Sequence, residues 1–533
     1  MKKQTVIYPF LFAAYSVLGM YSANINEIRP EDVFRPLLVA LSSAGILMML
    51  FYLFKKNGYH AGLLSLIAIM AIINFGHSVN AFVGFLGNEN RALIVYAMIF
   101  FWGLAFVLIW TDRMWKLIRG GPGLTLYLNL IGLLVLILPA FIAASELIKY
   151  YPERRSVHEY VARQAITAQV NPSTMPDIYY IILDGYGRQD VIKELYGLDN
   201  STFIHWLEDR GFYIASQSQS NYMRTMFALA SSLNLEYLKD NDPRIRFMID
   251  DSVVKKTLEN FGYTTIGMSS ATINTQMTHV DEFYSPYSRD TLTLFEGFLI
   301  TNSILGPFAR MLDLNIPIPS YDYHRDMVTY TLDQLPKIAV EPGPKFVFAH
   351  ILAPHPPFSF NADGTPNDPE QPFAIGDATD FGGTTEEYIQ GYSGQLKFVS
   401  GIMPEVIQDI MDNSPRPFVI ILQGDHGGGA YLDYQDLEKN NCFIERFSIL
   451  NAYYFSPGLD RDAALAQLTP DITPVNSFRV ILNAYMGTDL EILPNRHYYS
   501  TDSRYFNLLD VTGQTASDCR IPAPSHPPRT GTP

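Results

Sequence analysis

The chain has 533 residues, of which 48% are hydrophobic, and a formal net charge of −15. That is too long for one ordinary domain, and so large an apolar share points to a membrane part beside a globular part. The acidic balance argues against nucleic acid as a partner, since a phosphate backbone is bound by basic surface; it leaves phosphate chemistry open where a bound cation sets the local field.

From the start of the chain, five apolar runs, at 5–24, 36–54, 61–79, 92–111 and 124–146, approach the ~20 residues that span a bilayer as helix. The first lacks a small-residue cleavage site and is followed by further spans, so it reads as a retained span. Lys2 and Lys3, then Lys55 and Lys56, then Arg113, Lys116 and Arg119 lie in alternate connections, which the positive-inside rule places in the cytoplasm. The other connections, with Glu27, Glu31, Asp32 and Glu89, lack a basic excess. Five spans with the N-terminus inside put everything after about Ala144 on the outer side. Trp110 and Trp115 suit an interfacial belt. Asn74, His77 and Asn80 recur at helical spacing, as markers of a pathway, as an interhelical hydrogen-bonded face or simply as the outer end of the helix; being neutral and near the interface, they favour the latter two.

Residues 1–146 are therefore expected to form the membrane domain. Residues 147–175, with Glu153, Arg154, Arg155, Glu159 and Arg163 in a helix-compatible run, form a juxtamembrane linker. From Pro176 to about 512, strands alternate with helices. In PDIYYIILDGYGR an apolar run, Ile178 to Leu183, stops at Asp184; FVIILQGDHGGG stops in the same way at Asp425 and His426. GYTTIGMSS, KFVFAHIL and RFSILNAYYF also read as strands, with helices at Thr225–Leu238 and Gly391–Met411. This alternation predicts an α/β sandwich around a mixed or mostly parallel sheet. Residues 513–533, rich in Pro, Ser and Thr, read as a disordered tail. The two cysteines, Cys442 and Cys519, make neither a disulfide framework nor a cysteine-rich zinc module; a single bridge between them stays open.

Strands ending in Asp184 and in Asp425-His426 suggest a metal site, since they offer hard oxygen and imidazole donors. Thr225 opens an apolar helix, where a hydroxyl can cap the helix or serve as a phosphoryl-transfer nucleophile. In APHPPF, Pro354 and Pro356 bracket His355 and stiffen the loop that carries it.

The ordered set of Asp at the first strand end, Thr at a helix start, P-H-P-P-F and G-D-H-G resembles the alkaline phosphatase superfamily. More narrowly it is similar to the membrane-anchored sulfatase-like branch that includes lipoteichoic acid synthases and phosphoethanolamine transferases. The resemblance covers about 176–510 and extends to five N-terminal spans before an exported domain. It implies that Asp184, Thr225, Asp425 and His426 bind one divalent cation, zinc or manganese. Thr225 would carry the covalent phospho-intermediate, and His355 would face the substrate. Arg224, as a phosphate clamp or an ion-pair partner, and His350 are weaker candidates. Asp184 stands where lipoteichoic acid synthases and phosphoethanolamine transferases commonly carry Glu. Neither cysteine lies in the C-x-P-x-R context from which sulfatases make formylglycine, so sulfate-ester hydrolysis by that route is not expected. Asp322 and His324 do not complete a second metal site.

The leading reading is a transferase in a bacterial-type cytoplasmic membrane, multi-pass, with its catalytic domain on the outer or periplasmic side. It would move a phosphorylated head group from a phospholipid donor to an envelope glycan or lipid acceptor. The alternative is a phosphomonoester or phosphodiester hydrolase with the same covalent step. A third reading is a catalytically inactive membrane scaffold, against which the complete ligand set counts.

Overall fold

The computed structural model describes residues 3–25, 28–87, 90–117, 121–167, 175–270, 272–287, 292–306, 312, 316–369, 371, 373–436, 442–515 and 519. Most of the tail from 513 lies outside them. The chain divides into a helical unit, 1–152 with 287–319, and a sheet unit, 153–286 with 320–532.

The helical unit contains α1 (Tyr8–Ala23), α2 (Phe34–Lys55), α3 (Gly58–Ile73), α4 (Phe75–Leu86), α5 (Arg91–Trp110), α6 (Asp112–Leu117) and the start of α7 (Pro122–Gln164). Among the described residues, three helical stretches, Pro30–Lys55, Arg91–Trp110 and Pro122–Gln164, are long and apolar enough to cross a membrane. Helices α3 and α4 qualify together but are bent by 60° at their break, which makes up to four spans. At 16 residues α1 falls short of the ~20 of a full span. The expected third span, 61–79, is thus interrupted at Asn74. The Asn74 amide donates to Ser16 Oγ at 2.8 Å, which is the interhelical bond expected of it, whereas His77 and Asn80 are exposed.

The break coincides with a contact from far along the chain. A segment inserted between the strands of the sheet unit returns to this unit through the helix Leu294–Thr301, opened by a Thr293–Glu296 capping box. The Gly76 amide donates to the Asn302 carbonyl at 2.7 Å, and a Cβ at Gly76 would meet Asn302 Cα at 2.6 Å. The Ile304 amide donates to the Ile72 carbonyl at 2.8 Å. Glu296 pairs with Arg35 of α2, and Phe295 is buried among Val17, Met20, Tyr21 and Ile69. The sequence reading assigned this segment to the outer domain; its apolar face instead packs against α1 and α3.

The sheet unit is built on seven strands in the order β2-β7-β6-β1-β5-β3-β4: β1 Asp177–Leu183, β2 Tyr213–Ile214, β3 Thr264–Met268, β4 Glu282–Tyr284, β5 Lys345–Ile351, β6 Phe418–Gln423 and β7 Asn451–Phe455. The pairings β1/β5, β1/β6, β3/β5 and β3/β4 are parallel, and β2/β7 and β6/β7 are antiparallel. Every residue of β1, β5 and β6 is buried, as continuous apolar runs covered on both faces must be. On one face Tyr179, Ile181 and Leu183 pack with α9 (Tyr321–Ala339) and α10 (Thr385–Asn413). On the other, Tyr180 meets Phe478 of α12 (Ser477–Met486) edge to face at 5.0 Å and donates to Ser232 of α8 (Thr225–Asn234) at 3.0 Å. The stretch RFSILNAYYF is a strand only from Asn451; Arg446 lies in the short helix α11 (Phe443–Phe447), where its guanidinium enters a buried polar network. Cys442, just before α11, is disulfide-bonded to Cys519, so the bridge left open by the sequence is present.

Candidate active site

Because β1, β5 and β6 are adjacent and parallel, their C-terminal ends reach one edge, with Leu183 opposite Ile351 and Ile182 opposite Gln423. In open α/β sheets that edge is where ligands bind. The loops leaving it are locked to one another. The Asp184 amide donates to the Ile351 carbonyl, the His355 amide to the Asp184 carbonyl (both 2.9 Å), and the Gly185 amide to Asp425 Oδ1 at 3.0 Å. Gly185 has φ +76°, which favours glycine. A Cβ at Gly427 would lie 2.0 Å from the Glu445 carbonyl oxygen, so the G-D-H-G turn takes no side chain there.

Asp184, His355, Asp425 and His426 are all buried. His426 Nε2 lies 3.4 Å from Asp184 Oδ1 and 3.3 Å from Asp425 Oδ2. Thr225 is the first residue of α8, with Arg224 in the cap position; its hydroxyl lies 3.1 Å from His426 Nε2, so it turns into the site rather than capping the helix. Donor atoms of Asp184, His355 and His426 fall within 4.8 Å of one another, as do those of Asp184, His350 and Asp425. Asp184 Oδ1 and Asp425 Oδ2 are buried without a hydrogen bond. Two buried carboxylates with orphaned oxygens, facing a buried imidazole and a half-buried hydroxyl, suit a divalent cation, which would satisfy them and offset their like charge.

Around this core, His350 Nε2 bonds Asp184 Oδ2 at 3.0 Å and fixes the carboxylate's orientation. His355 Nδ1 donates to the Pro356 carbonyl at 2.5 Å, and its Nε2 lies 3.7 Å from Asp377 Oδ2. Burial opposes charge on Asp184, yet the imidazoles of His355, His350 and His426 more than offset it and hold the carboxyl below its ordinary range. Burial likewise opposes charge on His355, but Asp184 and Asp377 draw its pKa upward. Burial, with Arg446 nearby, lowers that of His426.

The sequence reading missed Asp377 and Arg446. The buried Arg446 guanidinium donates to Asp377 Oδ2 (2.5 Å), Met223 O (2.7 Å), Gly427 O (3.2 Å) and Tyr434 Oη (2.6 Å). Tyr388 donates to the other Asp377 oxygen at 2.7 Å. An arginine inside the apolar run FIERFSIL was the one available signal.

Of the weaker candidates, Arg224 is an ion-pair partner: it bonds Asp502 at 2.6 Å and stacks over Tyr434 and Tyr505. His324 is buried against Ser359 and Leu352, while Asp322 pairs with Arg325, so these two do not converge. His279 pairs with Asp250, and His497 bonds the Ser220 carbonyl at 2.8 Å.

The family model named Sulfatase matches residues 159–457, more than half of the chain. The chain belongs to the sulfatase family. This sulfatase-family chain is an enzyme acting on phosphate or sulfate esters, joined to apolar helices of membrane-spanning length. No curated protein matches its sequence. Among solved structures, the C-terminal periplasmic domain of EcEptC from Escherichia coli is 12% identical; the match covers 64% of this chain and 93% of that one, with a TM-score of 0.38. The integral membrane lipooligosaccharide phosphoethanolamine transferase A from Neisseria meningitidis is also 12% identical, covering 91% of this chain and 96% of that one at a TM-score of 0.36. A protein in the alkaline phosphatase superfamily from Vibrio parahaemolyticus is 10% identical, covering 65% and 82% at 0.35.

Proposed function

We propose that this sulfatase-family enzyme is a membrane-anchored, divalent-cation-dependent phosphotransferase. It moves a phosphorylated head group from a phospholipid donor to a cell-envelope glycan or lipid acceptor through a covalent intermediate on Thr225. With α1 counted as a fifth, short span beside the four of membrane-crossing length, the N-terminus lies in the cytoplasm and the catalytic unit faces the outer, periplasmic side. The observation that carries the reading is the approach of the Thr225 hydroxyl to His426, beside the orphaned oxygens of Asp184 and Asp425.

Asp184, Thr225, Asp425 and His426 are the residues that would hold the cation, zinc or manganese; when bound it favours the deprotonated hydroxyl and offsets charge on the phosphoryl oxygens. In the first step a bond forms between Thr225 Oγ and phosphorus, and the bond from phosphorus to the diacylglycerol oxygen breaks. Thr225 attacks as the alkoxide, its proton already released to solvent, and His355 gives a proton to the departing oxygen. In the second step an acceptor hydroxyl attacks the phosphothreonine and gives its proton to His355, and Thr225 leaves as the alkoxide, which restores both groups. Phosphate rather than sulfate esters are favoured because a threonine cannot become formylglycine and both cysteines are joined in a disulfide.

The test is intact-mass spectrometry of the full chain, wild type beside Thr225→Ala, incubated with metal and a head-group-labelled phospholipid. A head-group adduct on wild type alone, with release of diacylglycerol, is expected. Folded, metal-loaded protein that forms neither would sink the assignment. Labelled free head group in place of a modified acceptor would turn the reading to hydrolysis.

A further inference from the structure

The helical unit contains a cavity of about 190 Å³ at the break between α3 and α4, walled by Asn80 of α4, Arg91 of α5, and Phe298, Thr301, Asn302 and Pro319 of the inserted segment. Arg91 reaches Asn80 Oδ1 only through a long bond of 3.4 Å. None of the described lining residues is acidic; Arg91 and two asparagines wall a small space, and the Asn302 amide, which donates one N–H to the Phe298 carbonyl at 2.9 Å, keeps another. Room for about six waters, at ~30 Å³ each, fits a phosphodiester but not a pair of acyl chains. The chains have apolar surface on the same two helices. Phe85 of α4 is 85% exposed and Leu93 of α5 70%, with Phe82, Leu86 and Tyr96 also exposed on the same two helices.

A polar cationic notch bordered by outward-facing apolar side chains matches one ligand class. We infer that this cavity binds the phosphodiester of a phospholipid, with Arg91 and the amides of Asn80 and Asn302 on the phosphate and the exposed faces of α4 and α5 against the acyl chains. Arginine suits this role because its fork of donors matches phosphate oxygens. The free anion is disfavoured because the adjoining apolar surface would gain nothing from it. Its walls include none of the residues of the Thr225 site, and it rests on the membrane reading of the chain, not on the proposed chemistry. It gives the helical unit a resident lipid that bridges α4, α5 and the inserted segment.

The test uses the full-length chain carrying Thr225→Ala, so that no turnover occurs, in nonionic detergent with added dioleoyl phosphatidylglycerol; retained lipid is counted by native mass spectrometry. One lipid should be held about ten-fold more weakly after Arg91→Gln and partly restored by Arg91→Lys, the effect expected for a lost charge-assisted phosphate contact. Dioleoylglycerol, with tails but no phosphate, and glycerol 3-phosphate, with phosphate but no tails, should each bind at least about ten-fold more weakly than the whole lipid. Asn80 is exposed, so Asn80→Leu gives a second variant, expected to weaken retention, should Arg91→Gln fail to fold. A lipid at the Thr225 site would persist in either variant, so the count should fall by one. Equal retention in folded Arg91→Gln and parent overturns the proposal. Displacement of the lipid by an equal concentration of inorganic phosphate also overturns it and reassigns the cavity to a free anion.

Discussion

Two buried groups pull the stability of the sheet unit in opposite directions as pH changes. His324 on α9 is fully enclosed, bonded to Ser359 Oγ at 2.6 Å and the Leu352 carbonyl at 2.7 Å, and burial pushes its pKa from 6.5 down to about 4. Glu445 on α11 accepts from Tyr196 and from the Tyr431 amide, and burial raises its pKa from 4.5 to about 7. Between pH 4 and 6.5 the unfolded chain binds a proton at His324 that the folded chain refuses, so stability falls as pH falls. Between pH 4.5 and 7 the folded chain keeps a proton on Glu445 that the unfolded chain releases, so stability falls as pH rises. Each separation of about 2.5 pH units corresponds to about 3 kcal/mol. These two contributions largely cancel from about pH 4.5 to 6.5, while His426 and His497, whose pKa values burial also lowers, add a slope of the His324 sign to the wild type and both variants alike. His324→Gln should expose the Glu445 slope, a loss of about 3 kcal/mol from pH 4.5 to 7. Glu445→Gln should expose the opposite slope, a gain of about 3 kcal/mol from pH 4 to 6.5. Asp184 and Asp377 are held below the ordinary 3.8, so they enter only at lower pH. Native-state hydrogen exchange on the full chain, read at the amides of β1, β5 and β6 and corrected for intrinsic rates, gives these free energies. A wild-type slope that does not lie between those of the two variants would refute the reasoning.

Two further outcomes probe the edge of the sheet. Asp184→Asn should reduce bound divalent metal from about one per chain to near zero in elemental analysis, since a neutral amide is a poor hard-cation ligand; retained stoichiometric metal would move the cation elsewhere. Arg446→Met leaves Asp377 as an uncompensated buried charge and should destabilise the sheet unit by about 3–5 kcal/mol. Adding Asp377→Asn should return most of that loss in the same exchange measurement, and a double variant no better than the single one would count against a paired network.

How much of this was legible depended on whether the signal was local. Asp184, Asp425 and His426 end unbroken apolar runs, and a strand buried on both faces announces its own end. Thr225 opens a helix whose apolar spacing is plain, and His355 stands between prolines, so each could be proposed from a short window. Asp377 and Arg446 could not. They lie 69 residues apart, in a loop and a short helix brought together only by the sheet, and Arg446 sat inside a run that looked like strand. The bend after Ile73 was hidden because hydropathy runs smoothly through 61–79; it follows from the wedge of Asn302 against Gly76, more than two hundred residues away.

That wedge also constrains how the protein is made and how it can be cut. The central strand β1 is synthesised first, but both of its neighbours, β5 and β6, come after the inserted segment. The insertion emerges, with α1, α2 and α3 already made, while β1 still lacks both neighbours, an order that favours slow, non-local assembly. A soluble truncation beginning near Glu153 would carry Leu294 to Leu305 with Phe295 and Glu296 stripped of their partners. Such a fragment should aggregate until that stretch is replaced by a short polar linker.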